Sequence, residues 1–416
     1  MSSWTRAHLD RDLARRGESR MVLGLNRMRT ACVRLGSPER RVPAVHIAGT
    51  NGKGSTGAFL RSLLRAAGYR VAHYSSPHLS DFAERYWMDG ASVPEPLLLA
   101  QAAAVAERTA DLALTYFEFA TCVAFRLFAA TPIDVAILEV GLGGRLDATN
   151  VVTPRCAVLT PIGWDHMAVL GSSLGAIAAE KCGIIKPGVP VVAALQSAEV
   201  MAVIRATCRE RGSTLTIAEP VPAGTPLGLA GAHQRINAGV AVVAARRVRA
   251  ALNHESVAPA APIPGAALTP AEVAALAATE WPGRCEWLSE TPPILFDGAH
   301  NPAGAAALAA YLRRERQGRR IVCCLGMQRD KDVEGVARAL CEAVDAWIAV
   351  PTENERGLTA TRLADRLCAV ELSPVPMDSV ADAVAEARRA SPPPLTVITG
   401  SLTLYRSARH ALRCAR

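Results

Sequence analysis

Short, mainly apolar runs alternate along the first half of the chain with stretches whose apolar positions recur every three or four residues. The runs at 44–47, 71–74, 135–138, 156–159 and 189–193 have the length of strands. Phe59, Leu60, Leu63, Leu64 and Ala67 repeat at helical spacing, which predicts a helix from near Thr56 with one face on a sheet. Residues 135–138 are apolar on both faces, as a central parallel strand requires. Asp89-Gly90 reads as a tight turn inside a hairpin, and another helix is predicted over 234–252. Strands alternating with helices predict an α/β fold with a doubly wound, mainly parallel sheet, whose ligands bind beyond the carboxyl ends of the strands.

The stretch 258–265 is rich in Pro and Ala and reads as a connector, followed by short helical material over 270–278. A second α/β series starts near Trp287, with strands predicted at 294–296, 321–325, 346–350 and 395–399. A chain of 416 residues is too long for one small core and suits two domains. We place them at 1–286 and 287–416.

Composition narrows the setting. Half of the residues are hydrophobic but only 5% are aromatic, so Ala, Val and Leu must build the core. No apolar run is long enough to span a bilayer, and residues 1–20 lack the apolar stretch of a signal peptide. A cytoplasmic protein without a membrane partner is expected. The 11 cysteines show no CxxC pair or Cys/His spacing, so they read as small buried hydrophobes and structural zinc is not expected. The net charge of +8 comes from dispersed arginines, which favours anionic small molecules over nucleic acid as partners.

Between the first apolar run and the helix lies Gly49-Thr50-Asn51-Gly52-Lys53-Gly54-Ser55-Thr56. Such a loop turns successive backbone N–H groups toward one anion, and the helix N-terminus adds partial positive charge. Lys53 adds a full charge and Ser55 offers a hydroxyl to a metal. This is a phosphate cradle for ATP, in a spacing that differs from GxxxxGK[ST]. The first domain is therefore expected to be a P-loop-type ATPase domain and the second a smaller Rossmann-like α/β domain.

Other candidates are open to two readings each. Glu139, at a strand end, either holds the Mg²⁺ that bridges ATP phosphates or caps a helix. Asp147, in the loop 145–150, either binds a polar substrate or makes turn chemistry. His166 reads by default as a satisfied structural histidine, and Lys181 as a solvated surface lysine. Asn301 with Pro302 reads as a helix cap, which leaves Asp297 and His300 unexplained.

Taken together, the chain resembles the folylpolyglutamate synthase/dihydrofolate synthase family of the Mur-ligase superfamily. The matching text is HIAGTNGKGST (46–56), YSSPHL (74–79), TYFEF (115–119), LEVGLGGRLDATN (138–150), DHMAVLG (165–171), AAEKCGIIK (178–186), HQRINA (233–238), WPGR (281–284), FDGAHNP (296–302) and LGMQRDKD (325–332). The resemblance implies ATP-dependent ligation of L-glutamate to dihydropteroate and to reduced folates or their polyglutamates. The substrate carboxylate attacks the γ-phosphate to give an acyl phosphate, which the glutamate amine then attacks. Folylpolyglutamate synthase activity alone is the alternative.

By the same resemblance, Gly49, Thr50, Asn51, Gly52, Lys53, Gly54 and Ser55 hold ATP, with Asn237, Arg284, Asp297 and His300, the last three closing over it at the domain interface. Ser55 and Glu139 would bind one Mg²⁺, and Ser76, Glu139 and His166 a second. Lys181 matches a carboxylated lysine and joins Lys53 and His300 as a catalytic residue. Val22, Leu23, Gly24, Leu25, Thr115, Tyr116, Phe117, Glu118, Leu146, Asp147 and Ala148 fall on pterin-substrate positions. A monomer is expected. A Mur-type ligase acting on a UDP-linked precursor is disfavoured, because about 45 residues precede the loop, fewer than a typical domain. A nucleotide-binding switch need not keep Ser76, His166, Asp297 and His300. The chain departs from the family's pattern in a short 217–233 segment and in its Ala/Pro-rich connector.

Overall fold

The computed structural model describes residues 4–18, 20–253 and 267–413. The expected connector at 258–265 lies outside the described residues. Two compact units divide the chain. The first comprises Met1–Ile162, Ala168–Pro226 and Arg235–Thr279, and the second Gly163–Met167, Leu227–Gln234 and Glu280–Arg416. Thus the second unit starts at Glu280 and also takes in two short upstream stretches.

The first unit is built on an eight-stranded sheet. Its strands are β1 (Ala44–Ala48), β2 (Val71–Tyr74), β3 (Tyr86–Met88), β4 (Ala91–Ser92), β5 (Val135–Glu139), β6 (Cys156–Leu159), β7 (Val191–Ala194) and β8 (Leu215–Ala218). They lie in the order β4-β3-β2-β5-β1-β6-β7-β8, and all run the same way except β3, which pairs antiparallel with both β2 and β4. These runs are β1, β2, β5, β6 and β7, each buried along its length. Leu9, Met28, Tyr86, Phe119 and Phe128 belong to one core cluster, and Ile177, Ile184, Val200 and Ile204 to another. Asp89 and Gly90 both take positive φ, as the two-residue turn between β3 and β4 requires.

Local physics sets several ends. The helix Lys53–Ala66 begins directly after the glycine loop, earlier than the apolar spacing suggested, because its first turn is Lys, Gly and Ser rather than apolar. β7 starts after Pro190, a residue with no N–H for a ladder. Thr115 caps the helix Tyr116–Ala129 by accepting from Glu118 N, while Glu118 accepts in return from Thr115 N, a capping box that contributes about 1 kcal/mol.

The second unit holds a six-stranded sheet of β9 (Glu286–Glu290), β10 (Pro293–Phe296), β11 (Ile321–Leu325), β12 (Ala346–Ala349), β13 (Pro374–Pro376) and β14 (Leu395–Thr399). The order is β13-β12-β11-β14-β10-β9, with only β9 antiparallel to its neighbour. Among the described residues no helix is long and apolar enough to cross a membrane. Cys341 and Cys368 are exposed, a departure from the expectation that cysteines are buried; the other described cysteines are buried.

Candidate active site

The expected phosphate loop joins β1 to the helix Lys53–Ala66. Thr50 N and Asn51 N donate to the carbonyl of Pro161, just past β6, at 2.9 and 3.1 Å. Gly52 takes φ +84°, and a Cβ there would lie 2.3 Å from Asn237 Oδ1, so only glycine fits between loop and Asn237. Asn237, itself buried, is thereby brought against the loop. Lys53 curls back and donates to the carbonyls of Gly49 (3.0 Å) and Thr50 (3.3 Å).

Lys181 corrects the default reading. It is 5% exposed, not a solvated surface lysine, and its Nζ donates to the Gly49 carbonyl at 3.0 Å. The helix Leu174–Cys182 turns that position inward; its neighbour Glu180 takes the outer place and pairs with Arg145.

Ser55, Ser76 and Glu139 follow or end three adjacent parallel strands, β1, β5 and β2, at their carboxyl ends. Ser55 and Glu139 are buried. Thr56 Oγ1, beside Ser55, is buried and has no hydrogen-bond partner among the described residues. Hydroxyl and carboxylate oxygens suit a hard divalent cation, and an unsatisfied hydroxyl at the same helix start fits a site completed by further polar groups. Among the described residues no three His, Cys, Asp or Glu side chains cluster as a ready-made metal cage. Mg²⁺ commonly takes one or two carboxylates and draws its other oxygens from water and phosphate, so the donor set fits.

The pterin-substrate candidates, chosen as separate segments, are linked. Arg27 donates to both carboxylate oxygens of Glu118 at 3.1 Å and to the Val22 carbonyl at 2.8 Å. Val22 and Leu23 are exposed apolar residues on that loop, and Gly24 and Leu25 follow, half-buried. Tyr116 stacks edge-on to Phe82. Phe117 packs so close to Gly141 that a Cβ there would lie 2.5 Å from its ring. Gly141 N and Leu142 N donate to Asp147 Oδ2, and Thr149 N donates to Oδ1. Burial raises the Asp147 carboxyl above its ordinary value against the opposing pull of these hydrogen bonds. Asp147 therefore shapes the loop carrying Leu146 and Ala148, the turn-chemistry half of its two readings. Arg27 was missed: one arginine among 46 basic residues carries no signal of its own.

In the second unit, Asp297 follows β10 and accepts from Cys285 N (2.8 Å) and Ala299 N (2.9 Å). Arg284 lies close by, its Nη1 2.6 Å from where a Gly298 Cβ would stand. Asn301 caps the helix Pro302–Glu315 through Gly304 N, as expected. His300 Nδ1 bonds the Gly298 carbonyl (2.9 Å), and its Nε2 lies 3.6 Å from Asp165. Lys331 donates to Asp165 at 2.6 Å and lies 3.4 Å from His166 Nε2. Burial would raise the Asp165 carboxyl, but the neighbouring His300 imidazole and the charges of His166 and Lys331 hold it far below the usual range. Burial pushes His166 down to about 4 against the opposing charge of Asp165. His166 thus stands in a charged cluster with Asp165, Lys331 and His300, which the residues around DHMAVLG alone did not reveal.

Known proteins place this arrangement. Residues 283–402 match the family described as Mur ligase, glutamate ligase domain. The dihydrofolate synthase/folylpolyglutamate synthase of Bacillus subtilis is 36% identical over 347 residues, 76% of this chain and 78% of that protein. Its Escherichia coli counterpart is 35% identical over 363 residues, 83% of this chain and 81% of that protein. The structure of E. coli FolC in complex with DHPP and ADP superimposes with a TM-score of 0.85 at 31% identity, covering 100% of this chain and 99% of that one. A bifunctional folylpolyglutamate synthase/dihydrofolate synthase with Mn, AMPPNP and L-glutamate bound gives a TM-score of 0.82 at 31% identity, covering 98% of each chain. With identity above 30% over most of the chain and a superimposable fold, the chain belongs to the dihydrofolate synthase/folylpolyglutamate synthase family of ATP-dependent ligases.

Proposed function

We propose that the protein joins L-glutamate to dihydropteroate and to reduced folates or their polyglutamates, at the expense of ATP and through an acyl phosphate. The observation that carries this reading is the convergence of Lys53 and Lys181 on the Gly49 carbonyl at the head of the phosphate loop. Lys53 brings a cation to a loop where a carboxylate must approach a polyphosphate, and Lys181 brings to the same carbonyl the amine that carboxylation would turn into an anion. Relatives with ADP and DHPP, or with AMPPNP and L-glutamate, support the same substrate classes.

The loop N–H groups and Lys53 would hold the phosphates, with Asn237 fixing the loop. Ser55 and Glu139 would hold one Mg²⁺, and Ser76 and Glu139 donate to a second. The cation offsets repulsion between the phosphates and the attacking carboxylate. Lys181, in carboxylated form, would add negative charge beside these donors. Arg284, Asp297 and His300 are the second unit's nucleotide candidates. The linked segments 22–25, 115–118 and 146–148 would seat the pterin. Catalysis is then positioning and charge neutralisation, without a covalent nucleophile. The enzyme would act as a monomer in the cytoplasm.

Purified protein with ATP, glutamate and either dihydropteroate or tetrahydrofolate tests the reading. Phosphate release with both is expected. Release with tetrahydrofolate alone would remove the dihydrofolate synthase activity, and release with neither would overturn the assignment.

A further inference from the structure

His73 lies inside β2, wholly buried, and Glu139 ends the neighbouring β5 at 2% exposure. Their side chains meet: His73 Nε2 is 2.6 Å from Glu139 Oε1. A carboxylate that holds a cation is ionised and can only accept, so the imidazole donates from Nε2. A buried bond of this length to an ionised acceptor is among the stronger kinds. It engages Oε1 and leaves Oε2 as the oxygen to be directed elsewhere.

The opposite wall is shaped for the ring. Residue 57, in the first turns of the helix Lys53–Ala66, is glycine. A Cβ there would lie 2.5 Å from His73 Cε1, 2.6 Å from Nε2 and 3.1 Å from Glu139 Oε1. The helix that starts at the phosphate loop thus approaches the His73–Glu139 pair as closely as a bare backbone allows.

We propose that His73 is a positioning residue for Glu139: its Nε2–H holds one carboxylate oxygen so that the other faces the divalent cation. This rests on the reading of Glu139 as a cation ligand. Outer-shell donors of this kind commonly change metal affinity by about 10- to 100-fold when removed.

The test is Mn²⁺ binding to the full chain, read by electron paramagnetic resonance with a non-hydrolysable ATP analogue present. His73→Phe fills the same space without a donor and should weaken Mn²⁺ by about 10- to 100-fold. Metal-free ADP binding should stay at the wild-type value. His73→Gln keeps an N–H donor and should recover most of the affinity. Gly57→Ala crowds the ring with every ligating atom in place, and carries the same expectation should His73→Phe not fold. Wild-type Mn²⁺ affinity in His73→Phe or Gly57→Ala, with affinity lost in Glu139→Gln, would overturn the positioning role alone. Unchanged affinity in Glu139→Gln would overturn the ligand reading itself and the proposal with it.

Discussion

Lys181 Nζ and the carbonyl oxygen of Gly49 stand 3.0 Å apart, tying the helix Leu174–Cys182 to the head of the phosphate loop. Lys53 reaches the same carbonyl from the other end of the loop. One acceptor thus gathers two ammonium groups at the head of the loop, and each lysine makes a separate prediction.

Lys53→Ala removes the charge that would meet the phosphates while leaving the helix start intact. Ligation should fall by about 10²–10³-fold or more, with an unchanged circular dichroism spectrum. Ligation at the wild-type rate would show that Lys53 does not serve the phosphates.

Carboxylation of Lys181 has a direct signature. Protein equilibrated with ¹³C-bicarbonate should show a carbamate resonance that disappears in Lys181→Gln, and purging carbon dioxide should lower activity in step with it. A fully active enzyme without that resonance would leave Lys181 acting as a plain ammonium.

Arg27 holds Glu118 and the Val22 carbonyl at once. Arg27→Met would free the exposed 22–25 loop and leave the buried Glu118 carboxylate short of a partner. Stability should fall by about 1–3 kcal/mol. The KM for dihydropteroate should rise about tenfold or more, with the KM for ATP nearly unchanged. Equal changes in both would mean a general loss of structure rather than a substrate effect.

His46 gives the expected acid response. Burial, with a smaller contribution from the Lys186 charge, pushes this wholly buried histidine down to about 3. Between about pH 6.5 and that value the unfolded chain binds a proton that the folded chain refuses, so stability falls as pH falls. The slope from this one group is about 1.4 kcal/mol per pH unit. In urea titrations between pH 7 and 4.5, His46→Gln should be less acid-sensitive by that amount.

How much of this was legible depended on whether the chemistry was local. β5 and β11 were plain because both faces are almost wholly buried, so residues 135–138 and 321–325 are continuously apolar. β9 was not: Glu286 and Glu290 at its ends follow from its place at a sheet edge. β13 hid behind Pro374 and Pro376, which argue against a strand unless it is an edge. The candidate phosphate loop was legible because its seven candidate residues, 49–55, are neighbours in the chain. Lys181 did not, since its partner Gly49 lies 132 positions away and helical spacing does not say which way a single lysine turns. Arg27 with Glu118 and His73 with Glu139 were hidden for the same reason: each bond joins residues 91 or 66 positions apart.

The prolines of β13 have a second effect. A sheet edge exposes a row of unpaired backbone groups on which another chain can add a strand. Pro374 and Pro376 remove two of the N–H donors such an invader would need, on a strand only three residues long. At the far end of the other sheet, β4 offers just two residues. Both edges are therefore poor templates, and a core built so heavily from alanine and valine strands is shielded there from amyloid-like stacking.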